Sequence, residues 1–109
     1  MNKLTNYPKD KYVYRGSDKL LDKLEPEQSF YYYEKRGQWR PDGRPAVFAT
    51  DKPDIAVKQA LEQDSRRTSY VYVLDKSEFT KKDDKYRSET VVKPVAVVKV
   101  TFRDLPKEN

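Results

Sequence analysis

Apolar positions along this chain come in short dense runs between charged stretches, and the spacing inside each run sorts it into strand or helix. Residues 11–16, KYVYRG, are rich in Tyr and Val and read as a first strand. Ser17 then stands as an N-cap, with Asp18 in the first turn, for a short helix over residues 17–24. That helix puts Leu20, Leu21 and Leu24 on one face and stops at Pro26. Residues 28–33 form an aromatic run that fits a strand or a packed loop, and residues 34–45, EKRGQWRPDGRP, read as a loop with a turn at Pro41-Asp42-Gly43. A short apolar strand follows over residues 46–49. Asp51, Pro53 and Asp54 mark a second helix to about residue 63, with Ile55, Ala56, Val57, Ala60 and Leu61 toward the core.

The second half is richer in strand signals. Residues 69–74, SYVYVL, are apolar on both faces and read as a central strand. Residues 75–79 form a helical turn that tucks Phe79 inward, and residues 81–87 read as a charged loop. A strand over residues 89–92 is interrupted by Pro94, and the last strand covers residues 95–102. In it Ala96, Val98, Val100 and Phe102 share one face, while Lys99 and Thr101 take the other. Two short helices among about five strands, without strict alternation, predict an α+β fold with a mixed, mostly antiparallel split sheet. The expected organisation is a flexible N-terminal segment over residues 1–10, one domain over residues 11–103 and a flexible tail over residues 104–109.

Composition narrows the chemistry. With 109 residues the chain holds one core and one cleft, and its 36% apolar residues are clustered enough to build that core despite 38% charged residues. Cysteine and histidine are both absent. Thiolate nucleophiles, Ser-His-Asp relays, disulfides and histidine-held metals are therefore excluded, and acid–base work falls to Asp, Glu, Lys or Tyr. No metal cofactor is expected. No apolar stretch reaches bilayer length, and the polar opening residues lack a signal-peptide core, so the expectation is a cytoplasmic monomer with no membrane partner. The net charge of +5 is interleaved with 18 carboxylates. It serves solubility in the plainer reading and an anionic partner in the sharper one.

Three segments carry the candidate chemistry: Tyr14-Arg15-Gly16-Ser17, Val47-Phe48-Ala49-Thr50 and Ser88-Glu89-Thr90-Val91-Val92. Each reads as the end or edge of a buried strand bearing one or two polar groups. Their order resembles the ADP-ribosyltransferase superfamily, over roughly residues 12–102. Tyr14-Arg15-Gly16-Ser17 resembles the Arg version of the first motif. Val47-Phe48-Ala49-Thr50 before a helix resembles the second, reduced to Ala49-Thr50. Ser88-Glu89-Thr90-Val91-Val92 is similar to the segment that carries the catalytic Glu in the poly(ADP-ribose) polymerases, and RNA 2'-phosphotransferases share the layout. The position two residues before Glu89 is Arg87, where the arginine-directed class carries an acidic residue.

The resemblance implies an ADP-ribosyltransferase-like fold with NAD as substrate and an acceptor it does not specify. It makes Glu89 the catalytic carboxylate, stabilising the positive charge that builds on the ribose as the nicotinamide bond breaks. Arg15, Gly16, Ser17 and Thr50 become cofactor-binding residues. Arg15 grips pyrophosphate or ribose oxygens, Gly16 lets the ligand approach the backbone, and Ser17 or Thr50 positions Glu89. Trp39 or one of Tyr31, Tyr32 and Tyr33 stacks on a base.

Plainer readings stand beside these. Arg15 as an ordinary strand-edge arginine pairs with Glu89 or another carboxylate, Thr50 merely enters a helix, and the aromatics pack in core and loop. A second function class is a non-catalytic basic module that binds nucleic acid or a protein partner. In it Tyr31–Tyr33 and Trp39, with Lys35, Arg36, Arg40 and Arg44, form a stacking and phosphate surface for a single strand.

Overall fold

The computed structural model describes residues 3–62, 68–83 and 85–105. Among them are seven strands and one α-helix: β1 (Tyr12–Ser17), β2 (Glu27–Tyr33), β3 (Gln38–Ala49), α1 (Pro53–Leu61), β4 (Ser69–Asp75), β5 (Thr80–Lys82), β6 (Lys85–Ser88) and β7 (Ala96–Val100). They form one α+β domain with two sheets, ordered β1-β4-β7 and β2-β3-β6-β5, and every strand pairing is antiparallel.

β4 is central because its sequence is apolar at consecutive positions, which only a strand covered on both faces tolerates. Val71 and Val73 join Tyr14, Ala56, Val57, Ala60, Leu61 and Val100 in a core beneath α1. Tyr72 and Leu74 point the other way and join Val13, Leu24, Val47, Tyr86 and Val92 in a second core between the sheets. Leu4, within the segment expected to be a lead-in, is buried in the first core, and the Tyr14 hydroxyl donates to the Tyr7 carbonyl. Leu105 packs against the same core, while residues 106–109 of the expected tail lie outside the described residues.

One helix forms where two were expected. Residues 18–23 run as bends and irregular backbone, and β1 continues through Ser17, whose Oγ accepts from the Lys19 N–H at 3.1 Å. A helix of two turns is marginal alone and needs a buried face. Leu20 and Leu21 remain 67% and 42% exposed, so the leucine stripe offers none. The backbone is captured instead. The Tyr72 hydroxyl accepts from the Leu21 N–H at 2.6 Å and donates to the Lys19 carbonyl at 2.5 Å, and Leu24 bridges Val92.

Residues 34–45 correct the other way, from loop to strand. The turn lies at residues 34–37, and residues 38–45 belong to β3. Pro41 is tolerated because this stretch pairs only with β2. Pro41-Asp42-Gly43 makes a bulge rather than a turn. Gly43 takes φ 68°, and between the pairs Glu27–Ala46 and Ser29–Asp42 the β3 strand carries the extra residues.

The charged loop is also a hairpin, β5–β6, turning at Asp83 with φ 57°. Residues 89–92 are not a strand; Val92 alone bridges. Phe102 sits in a short 3-10 turn and is 60% exposed, so the shared face of the last strand stops at Val100. The helical turn expected at residues 75–79 is present at Lys76–Glu78, capped by Asp75, with Phe79 packed on the second core. Two hydrogen bonds from Ser77 hold the Asp75 carboxyl below its ordinary range.

Candidate functional site

Among the described residues the backbones of the two sheets are joined by one bridge, Tyr14 to Thr50. Tyr14 and Thr50 exchange backbone hydrogen bonds, Tyr14 N to Thr50 O at 2.7 Å and Thr50 N to Tyr14 O at 2.9 Å. That bridge places the first and second motifs side by side. Because side chains alternate along a strand, Tyr14 and Gly16 turn toward α1 while Arg15 turns toward the second sheet. Its guanidinium donates to the Phe48 carbonyl at 3.0 Å, one residue pair along from the bridge. Among the described residues no other hydrogen bond or ion pair holds it, so its remaining N–H donors face the space beyond.

That space is a cleft of about 800 Å³. Its floor is Arg15, Phe48, Ala49 and Thr50; α1 and its approach supply Asp51, Lys52, Ile55 and Gln59. The β2–β3 hairpin supplies Ser29, Asp42 and Gly43, and the β5–β6 hairpin closes the far wall with Lys81, Lys82, Asp83, Lys85 and Arg87. Six cations thus face three carboxylates, and an open cleft with that imbalance concentrates anions. Arg87 lies over the Phe48 ring, 5.7 Å from its centroid, and donates to the Arg44 carbonyl at 3.2 Å. Lys81 lies 5.7 Å from the Tyr86 ring centroid, and the Tyr86 hydroxyl reaches Asp51 at 3.4 Å, so the hairpin wall is tied to the entrance of α1.

The proposed site residues divide. Arg15 and Thr50 line the cleft together. Thr50 Oγ1 accepts from the Lys52 N–H at 3.1 Å, forming the tight turn before α1, whose N-cap is Lys52 without a side-chain cap. Glu89 is not among the cleft-lining residues. It stands just past β6, half exposed, with its carboxylate 3.5 Å from Arg87 and 3.9 Å from Arg44. Neither Ser17 nor Thr50 is hydrogen-bonded to it; Ser17 serves the local turn with Lys19.

Gly16 meets a different neighbour from the one expected. A Cβ built there would stand 2.1 Å from the Ala56 carbonyl oxygen and 2.5 Å from the Ala60 nitrogen. The backbone approach that Gly16 permits is that of α1. Trp39, Tyr31, Tyr32 and Tyr33 lie along the β2–β3 hairpin and are likewise not among the cleft-lining residues.

Sequence reasoning missed the cationic wall. Lys81, Lys82, Lys85 and Arg87 read from sequence as a charged loop, and Ile55, expected toward the core, is 39% exposed and lines the cleft with Lys52 and Gln59. A signal was present in Lys85-Tyr86-Arg87-Ser88, where buried Tyr86 and Ser88 alternate with less buried cations as a half-covered strand requires. Among the described residues no group of three or more carboxylates could hold a metal ion, and no helix is long and apolar enough to cross a membrane. Comparison of the chain with family models, with curated proteins and with solved structures gave no match.

Proposed function

We propose that the cleft binds a dinucleotide of the NAD type, on a minimal ADP-ribosyltransferase-like fold. The observation that carries this reading is the convergence of Arg15 and Thr50, from two separate motifs, on one cation-lined cleft between split sheets. Its volume of about 800 Å³ falls within the range of small-molecule and cofactor sites. Arg15 is pre-organised by its bond to the Phe48 carbonyl, so little side-chain entropy is lost when it takes a phosphate or ribose oxygen. Lys81, Lys82 and Arg87 line the same cleft and neutralise a pyrophosphate.

Glu89, outside the cleft lining, is the carboxylate the resemblance assigns to the reaction, and its ion pairs define what ligand binding has to change. A pyrophosphate beside Arg87 competes with Glu89 for the same guanidinium. Once released, the carboxylate is free to stabilise positive charge on the ribose as the nicotinamide bond lengthens. Left paired, it is neutralised, and the protein binds without turnover.

A nicotinamide-release assay run beside calorimetric NAD titration tests both halves. Wild type is expected to bind NAD and release nicotinamide slowly, and Glu89→Gln to bind while losing release, because Gln keeps the volume but not the charge. Equal release from both proteins removes Glu89 from the chemistry. Binding without release in wild type leaves a dinucleotide-binding protein.

A further inference from the structure

The β2–β3 hairpin carries large apolar side chains that neither core uses. Register pairs Tyr32 with Trp39 and Phe30 with Pro41, so these four residues share one face. Phe30, Tyr32 and Trp39 are 56%, 50% and 69% exposed. The Tyr32 and Trp39 rings lie 5.3 Å apart at 53° and brace each other into a platform. A small monomeric protein gains nothing in stability from holding three large aromatics in water on one face.

Charge says what such a platform meets. Lys35 and Arg36 stand in the turn at one end of the ladder. Ser29 and Asp42, the next pair along the ladder, turn to the opposite face and line the cleft, so platform and cleft lie on the two sides of the hairpin. The charge beside the rings is the Lys35–Arg36 pair in the turn. A second copy of this chain, itself at +5, is repelled by that arrangement. A polyanion with flat faces is attracted by it.

We propose that this face binds single-stranded nucleic acid, with bases stacked on Trp39–Tyr32 and on Phe30 and phosphates held by Lys35 and Arg36 in the turn. The two rungs are about 7 Å apart along the strand, a step that one backbone unit of an extended single strand covers. A duplex hides its base faces and cannot use the platform. This surface is independent of the dinucleotide reading, since none of the three aromatics lines the cleft.

The test is fluorescence anisotropy of a labelled oligothymidylate against the full chain, beside a duplex of equal length, over a salt series. The single strand is expected to bind more tightly than the duplex and to quench Trp39 fluorescence. Trp39→Ala and Tyr32→Ala are each expected to weaken binding roughly tenfold, in line with stacking losses, while Trp39→Phe retains most of it. Lys35→Ala is expected to weaken binding evenly across sequences and to lower the salt slope by roughly 0.7. Circular dichroism of each variant confirms that the fold is kept. Equal affinity for duplex and single strand, or unchanged affinity in Trp39→Ala, overturns the proposal. So does sedimentation showing self-association that Trp39→Ala abolishes, which assigns the face to a second copy.

Discussion

The helix-covered half of the molecule and the β2–β3 hairpin are built on opposite terms. Beneath α1, Tyr14, Val71, Val73 and Val57 are at most 1% exposed, and the helix backbone touches Gly16 so closely that no methyl group fits. On the hairpin, Phe30, Tyr32 and Trp39 are half exposed or more. The first half holds the fold and fixes where Arg15 and Thr50 stand. The second packs only through the end of β3, at Ala46 and Val47, and its distal aromatics are available for recognition. The cleft lies where the two halves meet, so it inherits a rigid floor from one and a projecting wall from the other.

The sharpest way to break this contrast is Gly16→Ala. Its Cβ would collide with backbone atoms of α1, which cannot rotate away as a side chain can. A loss of about 3 kcal/mol or more is expected in denaturant unfolding. A change within experimental error means that α1 rides loosely on β1 and the floor is not rigid.

Tyr72→Phe should cost less, about 1–2 kcal/mol, because it strips the Leu21 N–H and the Lys19 carbonyl of their partner. It also carries a pH signature. Burial is the largest cause raising the Tyr72 phenol above its ordinary value, opposed by the hydrogen bond from Leu21. A group whose folded pKa is raised stabilises below its unfolded value, about 10, and loses that contribution as pH rises through the folded pKa. Tyr14 behaves the same way, with burial first and Asp10 and Asp51 adding to it. Wild type should therefore lose stability on the alkaline side, and Tyr72→Phe should flatten that slope in melts taken from pH 8 to pH 11.

Two smaller effects sharpen the comparison from the hairpin side. Glu89→Gln should change stability by less than about 1 kcal/mol, since the pairs it breaks are partly exposed and solvent-screened. Trp39→Ala should move it by no more than about 0.5 kcal/mol, whereas a core Trp would cost about 3–5 kcal/mol. A large loss at Trp39 would make the hairpin part of the core.

Much of the fold was legible because covered strands announce themselves. β4 has apolar residues at successive positions, and α1 has Pro53 and Asp54 at its start. The reading failed where tertiary contacts overrode local signals. The leucines at positions 20 and 21 have helical spacing but nothing to bury against, and a tyrosine hydroxyl 51 residues away claims the backbone instead. Pro41 and Gly43 are turn residues in isolation, yet a strand paired on one side accommodates both, Pro41 opposite Phe30 with no second neighbouring strand and Gly43 at a bulge. At the site, Arg15 and Thr50 were legible as strand-edge polar groups. The cationic wall was not, because a lysine-rich hairpin and a lysine-rich loop have the same composition. The arginine pairs that hold Glu89 outside the cleft lining depend on side-chain directions that spacing does not encode.

The central claim is that Arg15 and Thr50 form one dinucleotide-binding floor, with Arg87 beside Phe48 in the same cleft. Amide chemical-shift mapping of the full chain with NAD tests it most directly. Saturable shifts at Arg15, Ala49, Thr50 and Arg87, weakened about tenfold in Arg15→Ala in keeping with a lost charge-assisted hydrogen bond, are the predicted result. Shifts confined to the β2–β3 hairpin, or none at millimolar NAD, would contradict it.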